Sequence, residues 1–214
     1  MINIHEIYQS IQGESTLAGM PCTFVRLAGC PLRCSYCDTP QAIAFDSGNS
    51  MAIDDVVAQA KSWSNPLLLV TGGEPLAQKS CIELLQKLLN TGGIVQLETS
   101  GALDVRLVPS AVRKVLDIKT PGSGEEKRNR WENLQYLNAE DEIKFVLKDQ
   151  ADYMWAKGVI EKRLQNTPAT ILLSPCWGAL SAEDLCAWIL RDKLPVRMQL
   201  QMHKVIWGAE KTGV

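Results

Sequence analysis

The chain is poor in the features that would send it to a membrane, a nucleic acid or an oxidising compartment. Its formal net charge is −2, so no global basic field invites polyanions or an anionic lipid surface. Apolar runs stop at five or six residues, far short of the ~20 that a membrane-spanning helix needs. The opening segment MINIHEIYQSIQGES has neither a basic n-region nor an apolar h-region, so no export signal is expected. No internal repeat, low-complexity tract or clear domain boundary divides the 214 residues. A single domain over 1–214 is therefore expected, long enough to bury a sizeable core. The seven cysteines are odd in number and lack an export context. That pattern fits a reducing cytoplasm better than a disulfide framework.

Three of those cysteines lie within eight residues, in Cys30-Pro-Leu-Arg-Cys34-Ser-Tyr-Cys37. Thiolates are soft ligands that suit iron–sulfur clusters, zinc and Cu(I). Three in one loop can hold three corners of a cubane cluster. No fourth cysteine is near, so one iron would lack a protein ligand, and an open metal position is a reactive one. A structural zinc site wants four ligands, and the nearest further candidate, His5, lies far upstream. Zinc and inert buried thiols are the alternatives. Cys22, Cys81, Cys176 and Cys186 are scattered and read as packing residues.

Along the chain, strand-like and helix-like segments alternate. TFVRLA at 23–28 reads as a strand running into the cysteine loop, PLLLVTGGEP as a buried strand ended by glycines, and GIVQLETSG as a third. KVLDIKTPGSG, DEIKFVL and ATILLSPCWG supply three more, and VRMQLQMHK reads as the last. Helical spacing appears at Ile53, Val56, Val57 and Ala60, at Cys81, Leu84, Leu85 and Leu88, and over 149–164. A short helix is expected over 105–112, and Ser181-x-x-Asp184 resembles a capping box. About six β-α units imply a parallel sheet with crossover helices, too few to close an eight-stranded barrel. Chemistry in such sheets collects at the carboxyl ends of the strands. The polar stretch PGSGEEKRNR at 121–130 reads as a solvated loop, with a lid or docking surface as the alternative.

The strand ends carry the other candidates. Thr71-Gly72-Gly73-Glu74-Pro75 is a turn where missing Cβ atoms let backbone approach a ligand. Taken alone it is a plain strand-to-helix turn; after a three-cysteine loop it gains weight. Glu98 is followed by Thr99 and Ser100, hydroxyls equally suited to a helix N-cap. Asp117 and Lys119 end the fourth strand, Lys144 sits within the fifth, and buried charges there need partners. Ser174-Pro175-Cys176-Trp177 ends the sixth strand and His203-Lys204 the last.

The C-x3-C-x2-C loop, with Tyr36 just before Cys37 and Gly-Gly-Glu-Pro downstream, resembles the radical S-adenosylmethionine (SAM) superfamily. The segments EIYQSIQGES (6–15) and Cys37-Asp38-Thr39, with Arg26 and the ending QMHKVIWGAEKTGV, extend the resemblance over nearly the whole chain. They narrow it to the 7-carboxy-7-deazaguanine synthase family. The resemblance implies an open partial (β/α)6 barrel. It implies a 4Fe-4S cluster on Cys30, Cys34 and Cys37 whose open iron is chelated by SAM. Gly73 and Glu74, Asp117, Ile118 and Lys119, and Ser174, Pro175, Cys176 and Trp177 would form the SAM-binding segments. Ile11, Gln12, Gly13, Arg26, Thr71, Glu98, His203 and the Val214 carboxylate would meet the substrate, and Thr39 would ligate Mg2+. Arg26 suits a carboxylate because its guanidinium is a bidentate fork.

The implied reaction converts 6-carboxy-5,6,7,8-tetrahydropterin to 7-carboxy-7-deazaguanine with loss of ammonia, for queuosine or other deazapurines. A flavodoxin-type electron donor and a homodimer are further implications, and apolar residues such as Trp155 and Trp207 are candidates for an interface. Three departures from the family pattern stand out: Ser15 where glycine is expected, DIKTPGSG at the fourth strand end, and a longer tail after His203-Lys204. A glycyl-radical enzyme activase shares the cysteine loop and the Gly-Gly-Glu-Pro turn, but not the QGE and Asp38-Thr39 segments. A non-catalytic iron–sulfur or zinc module would want a fully ligated metal.

Overall fold

A computed structural model describes residues 1–214. One sheet runs through it in the order β3-β1-β2-β4-β5-β6-β7-β8-β9. β2 (Pro21–Leu27), β4 (Leu67–Gly72), β5 (Ile94–Thr99), β6 (Arg113–Asp117), β7 (Glu142–Leu147), β8 (Thr170–Pro175) and β9 (Arg197–Met198) are parallel. β1 (Ile2–Ile11) runs antiparallel to β2 and carries β3 (Asn49–Met51) on its outer edge. β3 and β9 form the two edges and do not pair with each other, so the sheet is open. No helix is long and apolar enough to cross a membrane.

The helices α1 (Ile53–Lys61), α2 (Cys81–Leu89), α3 (Gln150–Arg163) and α4 (Ala182–Asp192) cover one face of the sheet. Their apolar stripes meet every second residue of the strands. Val25 and Leu27, Leu68 and Val70, Val95 and Leu97, and Ile143, Phe145 and Leu147 share one core with Val56, Leu84, Leu88, Tyr153 and Leu185. Side-chain caps start two of these helices: Asp149 accepts from the Asp152 N–H at 3.0 Å, and Ser181 from the Asp184 N–H. The alternate residues of the strands face inward. Near the strand starts these are Cys22, Phe24, Leu67 and Leu69, packed with Tyr8. Nearer the strand ends they are Arg26, Thr71, Glu98, Asp117, Lys144 and Ser174, which makes the inner face apolar at its floor and charged at its rim.

The structure departs from the expected elements in three places. The expected helix over 105–112 is a run of turns: Pro109 interrupts it, and the Val105 N–H is taken by Asn133 Oδ1 at 3.2 Å. The connections from β5 to β6 and from β6 to β7 therefore contain only turns and short 3-10 segments. The expected last strand keeps only Arg197 and Met198 in the ladder, after which the chain turns into α5 (Met202–Trp207). There Gln199 and Gln201 leave the sheet because their amides bond across the inner face, to the Ser15 N–H at 2.8 Å and to Glu14 at 2.9 Å. The 121–130 stretch is also no free loop. Asp152 accepts from Thr120 Oγ1 at 2.9 Å and from the Gly122 N–H at 2.7 Å, and Ser123 is buried.

Candidate active site at the carboxyl ends of the strands

The cysteine loop leaves β2 through Gly29, whose φ of 96° is one that residues with a Cβ rarely adopt. The Gly29 and Cys30 N–H groups donate to Ala42 and Ile43 carbonyls at 2.8 and 2.9 Å. Arg33 folds back over the loop, donating to the Cys30 carbonyl at 2.8 Å and the Leu32 carbonyl at 2.7 Å. Tyr36 donates from its hydroxyl to the Val146 carbonyl at 3.0 Å, pinning the loop to the end of β7. Cys30 is buried, Cys34 half-buried and Cys37 exposed. Burial pushes the Cys34 thiol up to about 11 and raises the Cys30 thiol as well. No three His, Cys, Asp or Glu side chains, the three thiols included, stand together at metal-binding spacing in this structure. Three soft donors on one loop, with no fourth protein ligand beside them, fit a cluster that keeps one iron open.

The Gly72-Gly73 turn is bonded to this loop. Gly73 donates to the Leu27 carbonyl at 3.1 Å and Glu74 to the Gly29 carbonyl at 2.9 Å. A Cβ on residue 73 would stand 2.6 Å from the Gly29 oxygen and 2.8 Å from Cys30 Cβ, so only glycine fits there. The Glu74 carboxylate is buried and occupied. It accepts from the Leu76 N–H at 3.0 Å, from Thr99 Oγ1 at 2.9 Å, and from both the backbone and the hydroxyl of Ser100. Glu74 thus ties the end of β4 to the end of β5, and its carboxylate is spent on that tie. The hydroxyls of Thr99 and Ser100 are spent on the same tie.

Charged side chains line the inner rim in register. Glu6 and Arg26 are directly opposite on β1 and β2, and Arg26 Nε donates to Glu6 at 2.7 Å while Nη2 donates to the Tyr8 hydroxyl at 3.1 Å. Tyr8 itself stacks on Phe24, with ring planes 5° apart. Thr71 donates to Glu98 at 2.9 Å. Asp117 and Lys144 are directly opposite on β6 and β7. The Lys144 ammonium bonds Glu14 at 2.7 Å and lies 3.8 Å from Asp117, which also pairs with Lys119 at 3.0 Å. Burial opposes the charge on Lys144, but Glu14, Asp117 and Glu98 around it hold its pKa well above the ordinary lysine value. Burial also opposes the charge on Glu14, and Lys144 outweighs it, so that carboxyl sits below its usual range. Glu98 has no such contact pair. Burial, helped by Glu14, pushes its carboxyl up.

The turn after β1 enters the inner face. Gln12 donates to Gln96 at 2.6 Å and Glu14 meets Lys144. Gly13 is a point of close approach: a Cβ there would stand 2.5 Å from His203 Nδ1, and the Met202 N–H donates to the Gly13 carbonyl at 2.9 Å. Ser15 adopts φ 71°, the left-handed conformation that glycine takes most easily and that fits the expectation of glycine here. Gln201 then joins three segments, donating to Glu14 at 2.9 Å and to Asp38 at 3.1 Å while accepting from Lys204 at 2.7 Å. Thr39 Oγ1 lies beside Asp38 at 3.1 Å. Burial holds His203 below its ordinary pKa, which favours the neutral imidazole near pH 7.

Most of the residues singled out in the sequence come together here: Gln12, Gly13, Arg26, Cys30, Cys34, Cys37, Thr39, Thr71, Gly73, Glu98, Asp117, Lys119 and His203. Ser174 points inward with a buried hydroxyl that has no protein partner, beside buried Pro175 and Cys176. Trp177 is largely exposed, and the Ile118 side chain packs into the outer core. Val214 is not at this rim. It lies with Ser10, Ile11, Pro21, Asn65 and Trp207, at the opposite, amino ends of the parallel strands. The structure adds Glu6, Tyr8, Glu14 and Gln201 to the site. The signal for Glu6 and Glu14 was their position inside the 6–15 segment; Gln201 gave none.

This geometry agrees with what known proteins resemble. The radical SAM superfamily model matches residues 25–119. A 7-carboxy-7-deazaguanine synthase from Chlorobaculum tepidum is 44% identical over 216 residues, covering 100% of this chain and 97% of that one. Another from Koribacter versatilis is 40% identical over 228 residues, covering 100% of both. Among solved structures, QueE from Escherichia coli superposes with a TM-score of 0.75 over 94% of each chain at 24% identity, a likeness of fold. Streptococcus suis SuiB bound to S-adenosylmethionine gives a TM-score of 0.57 at 15% identity, covering 80% of this chain and 44% of that one. With an open parallel sheet, a three-cysteine loop at its carboxyl edge and full-length relatives at this identity, the chain belongs to the 7-carboxy-7-deazaguanine synthase family of radical SAM enzymes.

Proposed function

We propose that the chain, acting as one domain, converts 6-carboxy-5,6,7,8-tetrahydropterin to 7-carboxy-7-deazaguanine, with hydrogen removed from C6, ring contraction and release of ammonia. The full-length likeness to synthases of that name carries this reading. The inner rim gives it chemistry. A 4Fe-4S cluster on Cys30, Cys34 and Cys37, when bound, supplies the electron that cleaves SAM to the hydrogen-abstracting radical. The backbone at Gly73, the ends of β6 and β8, and the unpartnered Ser174 hydroxyl are the surfaces this chain offers to SAM.

Arg26 is held by Glu6 and Tyr8 with Nη1 left to receive the substrate carboxylate. Glu98, with its raised pKa, faces the amino and amide edge of the pterin, where a carboxyl and its proton can both be used. Gln12 and His203 close the site around Gly13 and exclude water. Thr39 supplies a hydroxyl oxygen to Mg2+, a hard cation for a hard donor. An electron donor of the flavodoxin type, a cytoplasmic setting and a homodimer belong to the same proposal.

The test is anaerobic conversion by protein reconstituted with iron and sulfide, supplied with SAM, Mg2+ and reductant. The expected result is a 7-carboxy-7-deazaguanine peak that requires all of them. SAM cleavage without pterin conversion would contradict the substrate. Thr39→Ala is expected to abolish the Mg2+ dependence of the rate; an unchanged dependence would remove Thr39 from the metal.

A further inference from the structure

The floor of the inner face is apolar except at one place. Tyr8, Phe24 and Leu69 stand side by side on β1, β2 and β4, and the next residue in that row, on β5, is Gln96. It is completely buried. A primary amide there costs free energy unless its polar atoms are bonded, whereas a leucine would simply continue the row. Both bonds that Gln96 makes lead to the turn after β1. Its Oε1 accepts from Gln12 Nε2 at 2.6 Å, and its Nε2 donates to Ser15 Oγ at 3.1 Å. The direction of this relay is set by a group that can only donate. The Glu14 N–H, at 3.2 Å, makes Oε1 the atom of Gln12 that faces the turn, so the Gln12 nitrogen faces Gln96. Gln96 must then offer its oxygen, which sends its own nitrogen to Ser15 Oγ. Turning either amide over would set two N–H donors against each other. The Ser15 hydroxyl is itself held by the Leu17 N–H at 3.0 Å.

Gln12 keeps one amide N–H that no protein atom takes. Gln96 stands two residues before Glu98 on the same face of β5, so the Gln12 amide is held one step along the strand from that carboxyl. In the proposed reaction, on which this inference rests for the identity of the ligand, Glu98 faces the amino and amide edge of the pterin. The remaining polar atom of that edge is the ring carbonyl, an acceptor, and Gln12 presents a donor. We propose that Gln96 is a positioning residue for substrate recognition: it fixes the Gln12 amide with its nitrogen toward the substrate carbonyl, and the Ser15 hydroxyl holds Gln96 in that sense. Gln96 touches no substrate itself. Its amide is buried in an apolar row because an apolar side chain there would leave the Gln12 nitrogen without an acceptor and free to turn.

The experiment measures the Kd of the reconstituted holoenzyme for 6-carboxy-5,6,7,8-tetrahydropterin without reductant, and kcat with it. Four proteins are compared: wild type, Gln96→Met, Gln12→Met and the double variant. Gln96→Met keeps the length of the side chain and removes both polar atoms. It is expected to raise Kd about fivefold, the worth of one neutral hydrogen bond, with kcat held within about twofold. Because Gln96 acts through Gln12, the double variant is expected to bind as Gln12→Met does alone. A merely loosened fold would weaken the double variant further. That result, or an unchanged Kd in Gln96→Met, would overturn the proposal. If Gln96→Met does not fold, Ser15→Gly takes its place in the same cycle. Its Kd is then expected to rise by about twofold and only while Gln12 is present, and a rise that persists beside Gln12→Met would overturn the proposal. A crystal structure of the Gln96→Met or Ser15→Gly holoenzyme reads the same claim without substrate. The Gln12 side chain is expected to shift or to split between conformers, and an unmoved, singly ordered Gln12 would contradict the relay. If the wild type neither binds nor converts the pterin, the proposed function falls, and that structure alone decides the role of Gln96.

Discussion

The two faces of one sheet solve opposite problems with the same strands. On the outer face Leu68, Val70, Val95, Leu97, Ile143 and Phe145 meet the helices and carry no polar atoms. On the inner face, one residue away along each strand, stand Thr71, Glu98, Lys144 and Ser174. The outer face is held by area removed from water, at roughly 25 cal/mol per Å2. Around Lys144 the inner rim is held by matched charge, and that ammonium and Glu14 are each safe only while the other is present. Stability is therefore spread over many interchangeable apolar residues outside and concentrated in a few irreplaceable pairs inside. The second arrangement is costly, and it supplies fixed charges where a substrate is to be oriented.

The sharpest way to break this contrast is to remove the ammonium at the centre of the inner rim. Lys144→Met strands Glu14 as a buried carboxylate and leaves Asp117 to Lys119 alone, and is expected to cost about 3–5 kcal/mol of stability. Activity per folded molecule should be lost as well. Leu97→Ala on the outer face is expected to cost a similar 2–5 kcal/mol by cavity formation, but to leave the KM for substrate nearly unchanged in the folded fraction. Chemical denaturation paired with steady-state kinetics reads both, and equal kinetic damage from the two would dissolve the distinction.

Gly13→Ala probes the closure of the inner face by α5. Its Cβ would collide with His203, so the chain must open there, with a stability loss of about 1–3 kcal/mol. The substrate KM should rise, because His203 and Gln12 move together. A structure of the variant with His203 unmoved would refute this. A smaller effect concerns pH. His203 has a lowered pKa in the folded state, so protonation is resisted by the fold. Its contribution to stability is present above the unfolded value of about 6.5 and is lost as pH falls through the folded value. Proton NMR titration should place His203 below the unfolded value of about 6.5, and a value above it would contradict the burial argument. Smallest of all is Ser15→Gly, which relieves a left-handed serine but loses the hydroxyl that accepts from Leu17 and Gln96, for a net change within about 0.5 kcal/mol.

How much of this could be read from the sequence also divides along the two faces. The apolar runs LLLV and EIKFV exposed the central strands because one side of each is unbroken hydrophobic. The three cysteines and the Gly-Gly turn were legible because their residue types have few other uses. β1 was not, because a bulge between Ile4 and Glu6 breaks the alternation that would have shown it. The last strand was overread because VRMQLQMHK alternates well, yet its glutamines serve the inner face instead. The pairing of Glu14 with Lys144 joins residues 130 positions apart, and no local pattern encodes a partner at that distance. The resemblance puts Val214 at the substrate, whereas it lies at the amino ends of the parallel strands. Function in this molecule lies in long-range polar pairings, the feature that local periodicity reports least.

The most direct test of the account follows one hydrogen. Reconstituted protein is given 6-carboxytetrahydropterin carrying deuterium at C6, together with SAM, Mg2+ and reductant. If the inner rim holds that carbon against the SAM site, deuterium leaves the pterin and is recovered in the adenosyl group, and 7-carboxy-7-deazaguanine accumulates. SAM cleavage with all deuterium retained in unreacted pterin would mean that the rim is built to orient something else.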